Sequence, residues 1–545
     1  MTILKSPFVA VLSSLAFLLS GCGGGSDSPA VTTPVSSSPA GQNCIFNSIT
    51  AACQQVVGSL PYVLYSSRSD GAADAAVNTD IVAVLSTPLD PASVNDAALT
   101  VIGEDNVAVS GKVEYDAVRP ALTFRQAQEL SGGRRYTATV SANIRDKAGH
   151  AMGRAYSWSF TVNAQRRDSD TQRSVQQILD KAAFTYQIPG SIIAVRDDQG
   201  KTWMTTNGYA DLKSKAPIKT DMLFRVGSNT KTYVATVILQ LADSGRLKLD
   251  DPVGKYLADE MKAYLPAYDA TKITLRHLLQ HTSGINNFTI DATWGDAFIS
   301  DAWKQYFPQE LLLIANSHAK DANAPAFNTF LYSNTNYVLL GMVVKKVSGM
   351  SYEDAVANAI TVPWALPMTL VPRIGDATMP GSFSHGYWED VELGVLHDVT
   401  VKDPSTVWSS GDMLANINEL ARWGELLGKG SLLSAGMQSQ RLTYVQMSDH
   451  LVYGLGIVKD TGANLIGHQG GMIGYTSQMY YLPDKGYTMA FFYNRTLALH
   501  DYSDVMTYDA IKAYWPDRPA DQLPPLRPFD TGPGGFRKPG FLTEY

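Results

Sequence analysis

Three cysteines, nine histidines and a charged fraction of only 17% in 545 residues set the first limits on this chain. No HExxH and no CxxC is present, which argues against a zinc-protease helix, a structural zinc knuckle or a disulfide-dense scaffold. The absence of GxxxxGK[ST] removes the phosphate loop of the P-loop nucleotidases. Basic residues are in deficit, 44 Lys+Arg against 51 Asp+Glu, so the electrostatic footprint of a nucleic-acid binder is missing. What is abundant is core material. Hydrophobic residues make up 45% of the chain, with 27 Tyr and 9 Trp. That excludes a wholly disordered chain and, at about 150 residues per domain, points to three or four units.

The longest early apolar run, Phe8 to Leu19, is too short for the ~20 residues of a bilayer-spanning helix. With Lys5 before it and Leu19-Ser20-Gly21-Cys22 after it, residues 1–21 read as a signal peptide ending in a lipobox. The lipobox implies cleavage before Cys22 and its acylation. Several chains on one residue would hold the protein stably on a membrane, in the outer membrane or facing the periplasm of a Gram-negative cell. Residues 22–56 follow as a flexible linker, in which Cys44 and Cys53 form an even pair suited to a short disulfide loop in an oxidising compartment.

Residues 57–163 read as all-β. Tyr156, Trp158, Phe160 and Val162 alternate with Ser157, Ser159 and Thr161, the period of a half-buried strand, and Tyr136, Ala138 and Val140 repeat the pattern. About seven such strands imply an immunoglobulin-like sandwich, a spacer between membrane and chemistry. Through TPLDPASV, RYTATVSANIRDKAGHAM and YSWSFTV the stretch also resembles bacterial Ig-like modules. The polar run Asn163 to Asp170 then reads as a hinge with few contacts crossing it.

After the hinge the periodicity changes. Val175, Ile178, Leu179 and Ala182 have helical spacing, a hairpin is expected around Asp198-Gln199-Gly200, and a long apolar helix runs from Ser228 towards Gly245. Residues 171–516 are therefore expected to form an α+β domain, and 517–545 a Pro/Gly-rich tail. Its chemistry starts at Ser228. A Ser three residues before a Lys on a helix puts both side chains on one face, and a desolvated Lys231 can activate the Ser228 hydroxyl. The helix N-terminus favours a developing oxyanion. Ser317 and Lys320 share the spacing, but Ser317 ends a helical stretch and is not expected to react. Tyr332-Ser333-Asn334 is the only YxN among the tyrosines, a phenol that can shuttle a proton and an amide that can hold substrate and Lys231. His468-Gln469-Gly470 is the only HxG among the histidines and leads into Gly471, as for a strand with open backbone beside a ligand.

SxxK, YxN and [KH]xG in this order resemble the serine β-lactamase and penicillin-binding superfamily. FRVGSNTKTYVATVILQLADSGRLKLDDPVGKYL, ITLRHLLQHTSGI, FLYSNTNYVLLGMVVKKVSG, WSSGDMLANINELARW, YGLGI and GHQGGMIGY are similar to its class C β-lactamase and D-alanyl-D-alanine carboxypeptidase branch. The resemblance implies an antiparallel sheet with flanking helices plus an all-helical subdomain. It also implies Ser228 as acylated nucleophile, Lys231 as its base and Tyr332 as proton shuttle. Asn334, Gln469 and Gly470 would bind substrate, and the backbone N–H groups of Ser228 and Gly471 would form the oxyanion hole. His468 stands where β-lactamases of this class carry Lys, Gln469 replaces a carboxylate-holding Thr, and Lys459 is the only cation soon after YGLG, where carboxypeptidases place an Arg. No metal or cofactor is required, and nothing in the sequence fixes an oligomeric state. The expectation is a membrane-anchored serine hydrolase acting on a small peptide or ester, first of all peptides with D-residues. An esterase or β-lactamase of the same fold, a non-catalytic wall-peptide receptor, and an adhesion lipoprotein remain as alternatives.

Overall fold

The computed structural model describes residues 60–117, 120–320, 325–390, 395–496 and 503–517. The lipobox Cys22, the linker pair Cys44 and Cys53, and all but the first residue of the tail lie outside the described residues. No helix among the described residues is long and apolar enough to cross a membrane.

The alternating segments of the first module form two four-stranded sheets, eight strands rather than about seven. One sheet orders Val63–Ser66, Ile81–Leu85, Ala121–Gln126 and Gly111–Asp116; the other orders Ala72–Ala75, Tyr156–Val162, Arg135–Val140 and Leu99–Gly103. Tyr136, Ala138, Val140, Trp158, Phe160 and Val162 are buried between them, as the period-2 pattern requires. Ser159 is the exception. It is buried because its N–H and hydroxyl both donate to Asp70 Oδ1 at 2.8 Å.

The second module is built on a nine-stranded antiparallel sheet. Its spatial order is Ala216–Pro217, Thr202–Asp211, Gly190–Arg196, Tyr487–Tyr493, Tyr475–Leu482, Leu465–Met472, Val458–Asp460, Leu451–Tyr453 and Val445–Gln446. The expected hairpin around Asp198-Gln199-Gly200 pairs Arg196 with Thr202. Helices Asp170–Thr185 and Ser503–Tyr514 cover one face over a core that includes Leu179, Ile193, Val195, Tyr480 and Met489. The other face carries a larger core with helices Thr230–Asp243 and Ile417–Gly428 and, beyond them, a helical subdomain that includes Asn334–Ser348. Thr230–Asp243 is rich in β-branched residues yet helical, because nearly every side chain is buried and packing overrides propensity. Gly245, at φ 73°, provides the left-handed residue just past its end.

Asn163 to Asp170 is not a loose hinge; the structure corrects that expectation. Asn163 N–H donates to Ala75 O and Val77 N–H to Arg166 O, both at 2.9 Å, tying the segment to the Ig-like module. Arg166 forks between Asp74 and Asp168, and Asn78 bonds the Asp168 backbone in both directions. From the second module, Trp203 Nε1 donates to Asp168 Oδ1 at 2.8 Å and Gln177 Nε2 to Asp80 Oδ2 at 2.9 Å. Arg68 is 3% exposed and donates to Thr79 and Thr205. A charge this buried holds two modules in one register only when its partners are in place. Trp203, like Ile193 and Val195, belongs to the face away from the larger core, so the Ig-like module docks on the sheet's far side from Ser228.

Candidate active site

Ser228 sits in a single 3₁₀ turn, Gly227–Asn229, that feeds helix Thr230–Asp243. The turn lies flush on strand Leu465–Met472. Gly227 has φ 52°, and a Cβ there would meet the Gly471 backbone at 2.6–2.8 Å, so both conformation and space demand glycine. Asn229 Nδ2 donates to Ser477 Oγ at 2.8 Å, and Ser477 Oγ donates to Val226 O at 2.8 Å, which pins the turn to the next strand.

One helical turn on, Lys231 is fully buried. Its Nζ lies 2.7 Å from Asn334 Oδ1, 2.7 Å from the Ser410 carbonyl and 3.0 Å from Ser228 Oγ. Burial holds the amine well below the usual lysine range. A neutral amine has two hydrogens. Both are taken by acceptors that cannot donate, the amide oxygen and the carbonyl, so the lone pair faces the Ser228 hydroxyl. This is the arrangement in which a lysine can take the serine proton. The Ser410 carbonyl is presented by the 3₁₀ turn Trp408–Ser410, where Trp408 holds φ 40°, a left-handed conformation costly for an aromatic residue.

Tyr332 and Asn334 flank the start of helix Asn334–Ser348, which brings both to Lys231. The amine lies 4.8 Å from the Tyr332 ring centroid. Asn334 Nδ2 is buried without a hydrogen-bond partner among the described residues, an amide donor ready for a substrate carbonyl. Ser317 ends helix Pro308–Ser317 as an exposed residue whose Oγ donates to Ile314 O at 2.7 Å, apart from this cluster.

His468 and Gly470 lie on strand Leu465–Met472 as expected, with two differences. Both His468 nitrogens are occupied: Nδ1 is 2.5 Å from Gln469 O, and Nε2 is 3.0 Å from the Tyr453 hydroxyl. Burial, reinforced by Lys231, pushes its pKa down to about 3. His468 is therefore a neutral, held ring rather than a cation replacing lysine. Gly470 does not open the backbone to a ligand on its Cβ side, because a Cβ there would stand 1.9 Å from Val226 O. Glycine is needed for the strand to reach the nucleophile turn.

Beside Tyr332 and His468 lies a narrow hollow, walled further by Met447, Leu451, Tyr453, Val458, Gln469 and Tyr480. None of these lining residues is charged. Lys459 lies 5.9 Å from the Tyr444 ring and is not among them. Sequence reasoning missed three contributors: the Ser410 carbonyl, His281 and Tyr453. Their signals were the WSSGD, HTSG and YGLG stretches, whose individual residues carry no chemistry until folded.

The model of the beta-lactamase family matches residues 172–516, and that of the bacterial Ig-like domain matches 59–162. The chain is similar to a D-stereospecific amidohydrolase from Streptomyces sp., at 33% identity and TM-score 0.55 over 64% of this chain and 99% of that one. It is also similar to the D-amino acid amidase of Ochrobactrum anthropi SV3 complexed with L-phenylalanine amide, at 25% identity and TM-score 0.56 over 64% of this chain and all (100%) of that one. Penicillin-binding protein 4 of Amycolatopsis lactamdurans is 25% identical over 354 residues, 61% of this chain and 87% of that one. With a family match spanning well over half its length and a serine, a buried lysine and a tyrosine gathered at one helix start, the chain belongs to the beta-lactamase family of serine hydrolases, preceded by a bacterial Ig-like domain.

Proposed function

We propose that the chain hydrolyses amide bonds of D-residues in small peptides or amino-acid amides through an acyl-enzyme on Ser228, and that lipid on Cys22 holds it at the cell envelope. The observation that carries the mechanism is the Lys231 amine, 3.0 Å from Ser228 Oγ with its two hydrogens committed elsewhere. Lys231 takes the serine proton as Ser228 Oγ attacks the carbonyl carbon, while the Ser228 and Gly471 backbone N–H groups receive the oxyanion. Asn334 Nδ2 and Gln469 orient the substrate. Tyr332 returns the proton to the leaving amine, and water then cleaves the ester in the reverse sense.

The neutral hollow supports amides over acids. A terminal carboxylate would be desolvated among Met447, Leu451, Val458 and aromatic rings with no cation lining the wall, which costs several kcal/mol when unpaired. That disfavours a strict D-Ala-D-Ala carboxypeptidase and, with His468 neutral, a penicillin hydrolase. The D-stereospecific amidohydrolase and D-amino acid amidase likenesses support the same substrate class.

Labelling with a fluorophosphonate and locating the adduct by mass spectrometry tests the nucleophile. A panel of D- and L-amino-acid amides, p-nitrophenyl esters, D-Ala-D-Ala peptides and nitrocefin tests the substrate. The expected result is an adduct on Ser228, absent in Ser228→Ala, and a preference for D-amides over L-amides and acid-ended peptides. Undiminished turnover by Ser228→Ala overturns the mechanism, and a preference for the acid-ended peptide overturns the substrate class.

A further inference from the structure

The side chains around Tyr332 form a closed hydrogen-bond chain that the acyl-transfer steps do not use. Starting at the strand end, Gln469 O can only accept, so the hydrogen between it and His468, at 2.5 Å, is on His468 Nδ1. A neutral imidazole with its hydrogen on Nδ1 has a lone pair on Nε2, and the Tyr453 hydroxyl at 3.0 Å must donate to it. With that hydrogen spent, the Tyr453 oxygen accepts from His281 Nε2, 3.3 Å away. His281 then has its lone pair on Nδ1, where the Ser333 N–H and the Asn336 amide both arrive at 3.2 Å as donors. Each of these links runs in one direction, and Tyr337, whose own hydroxyl donates to Leu279 O at 3.1 Å, is a further neighbour of the Tyr453 hydroxyl. The chain runs from the backbone of the YxN segment to the backbone of the HxG strand.

Both rings are in the state this requires. Burial lowers the pKa of His281 well below its usual value, as it does for His468, with Lys231 acting in the same direction on both. The rings also cage the proposed proton shuttle. His281 lies 4.2 Å from the Tyr332 ring, Tyr453 meets it edge-on at 6.2 Å, and His468 stands at 6.4 Å.

We infer that Tyr453 is a positioning residue for the proposed reaction, its hydroxyl locking His281 and His468 into opposite neutral tautomers and thereby fixing the Tyr332 ring over Lys231. The inference rests on the proposed role of Tyr332, but the tautomers are a property of the resting enzyme and are measured without substrate. In the full chain labelled with ¹⁵N-histidine, long-range ¹H–¹⁵N correlation assigned through His281→Gln and His468→Gln should place the hydrogen of His468 on Nδ1, the tautomer a free histidine side chain disfavours. The hydrogen of His281 should be on Nε2. Tyr453→Phe keeps the ring and removes only the hydroxyl. It should shift the His468 Nε2 signal and slow fluorophosphonate acylation about 10-fold or more, as small misplacements near a reacting pair do. On a turned-over amide, kcat should fall with KM little changed. Identical tautomers at the two histidines overturn the inference, as does a Tyr453→Phe protein with unchanged histidine signals and acylation rate. Retained labelling in Ser228→Ala overturns the proposed function instead and leaves the tautomer result intact.

Discussion

At the scale of single residues, chemistry and stability pull on the same two groups. In the proposed mechanism Lys231 is the base, and burial lowers its pKa towards that role, so Lys231→Ala should lower kcat/KM by roughly 10²-fold or more. A base with a depressed pKa works above that pKa, so the parent should lose acylation rate as acidification carries it through that pKa. The acid limb should be missing from the residual rate of Lys231→Ala. His468 carries the matching stability prediction. Its folded pKa of about 3 lies below the ordinary 6.5, so the unfolded chain binds the extra proton between those values. The stability it contributes is complete above pH 6.5 and is lost as pH falls towards 3. Denaturant titrations of His468→Gln across that window should show less acid destabilisation than the parent. Equal slopes would show that the ring is hydrated.

At the scale of elements, the side chains proposed to react were legible as motifs that the fold brings together, and their supports were not. Ser228, Lys231, Tyr332, Asn334 and His468 could be found because each motif pairs chemistry-bearing residues at one helix start or along one strand. The Ser410 carbonyl has no side-chain signal; a strained Trp408 turn supplies it. Tyr453 reads as an ordinary strand residue until the turn after helix Leu275–Leu279 brings His281, and strand Leu465–Met472 brings His468, to its hydroxyl. Gly470 has a second requirement the sequence did not show: the Val226 carbonyl approaches it where a Cβ would stand. Gly470→Ala should therefore push the turn off the strand, costing about 1–3 kcal/mol of stability and most of the activity. An active, fully stable variant in calorimetry and amidase assay would show that the two backbones can part without harm.

At the scale of the molecule, both modules were readable from periodicity, but their attachment was not. A polar run such as NAQRRDSD looks the same whether it is solvated or paired, and here Asp168, only 3% exposed, is its anchor. Residues 165–545 alone would leave Gln177 without Asp80, Arg166 without Asp74 and Thr205 without Arg68. That chain should unfold at least about 2 kcal/mol more easily than the full protein, the scale of two buried hydrogen bonds left unpaired. Because the docking face lies away from Ser228, Asn78→Ala should lower the melting temperature while leaving KM for an amide unchanged. Cys22→Ser should release the chain from the membrane fraction, and unchanged partition would remove the anchor. The bonded junction also bears on how the protein resists proteolysis. Proteases cut where a stretch of chain can unfold locally, and the segment joining two modules is normally the first place nicked. Here that segment has its backbone and side chains engaged from both sides, so limited digestion should spare it. Its survival time should follow the unfolding of the whole two-module body, not the fraying of a linker.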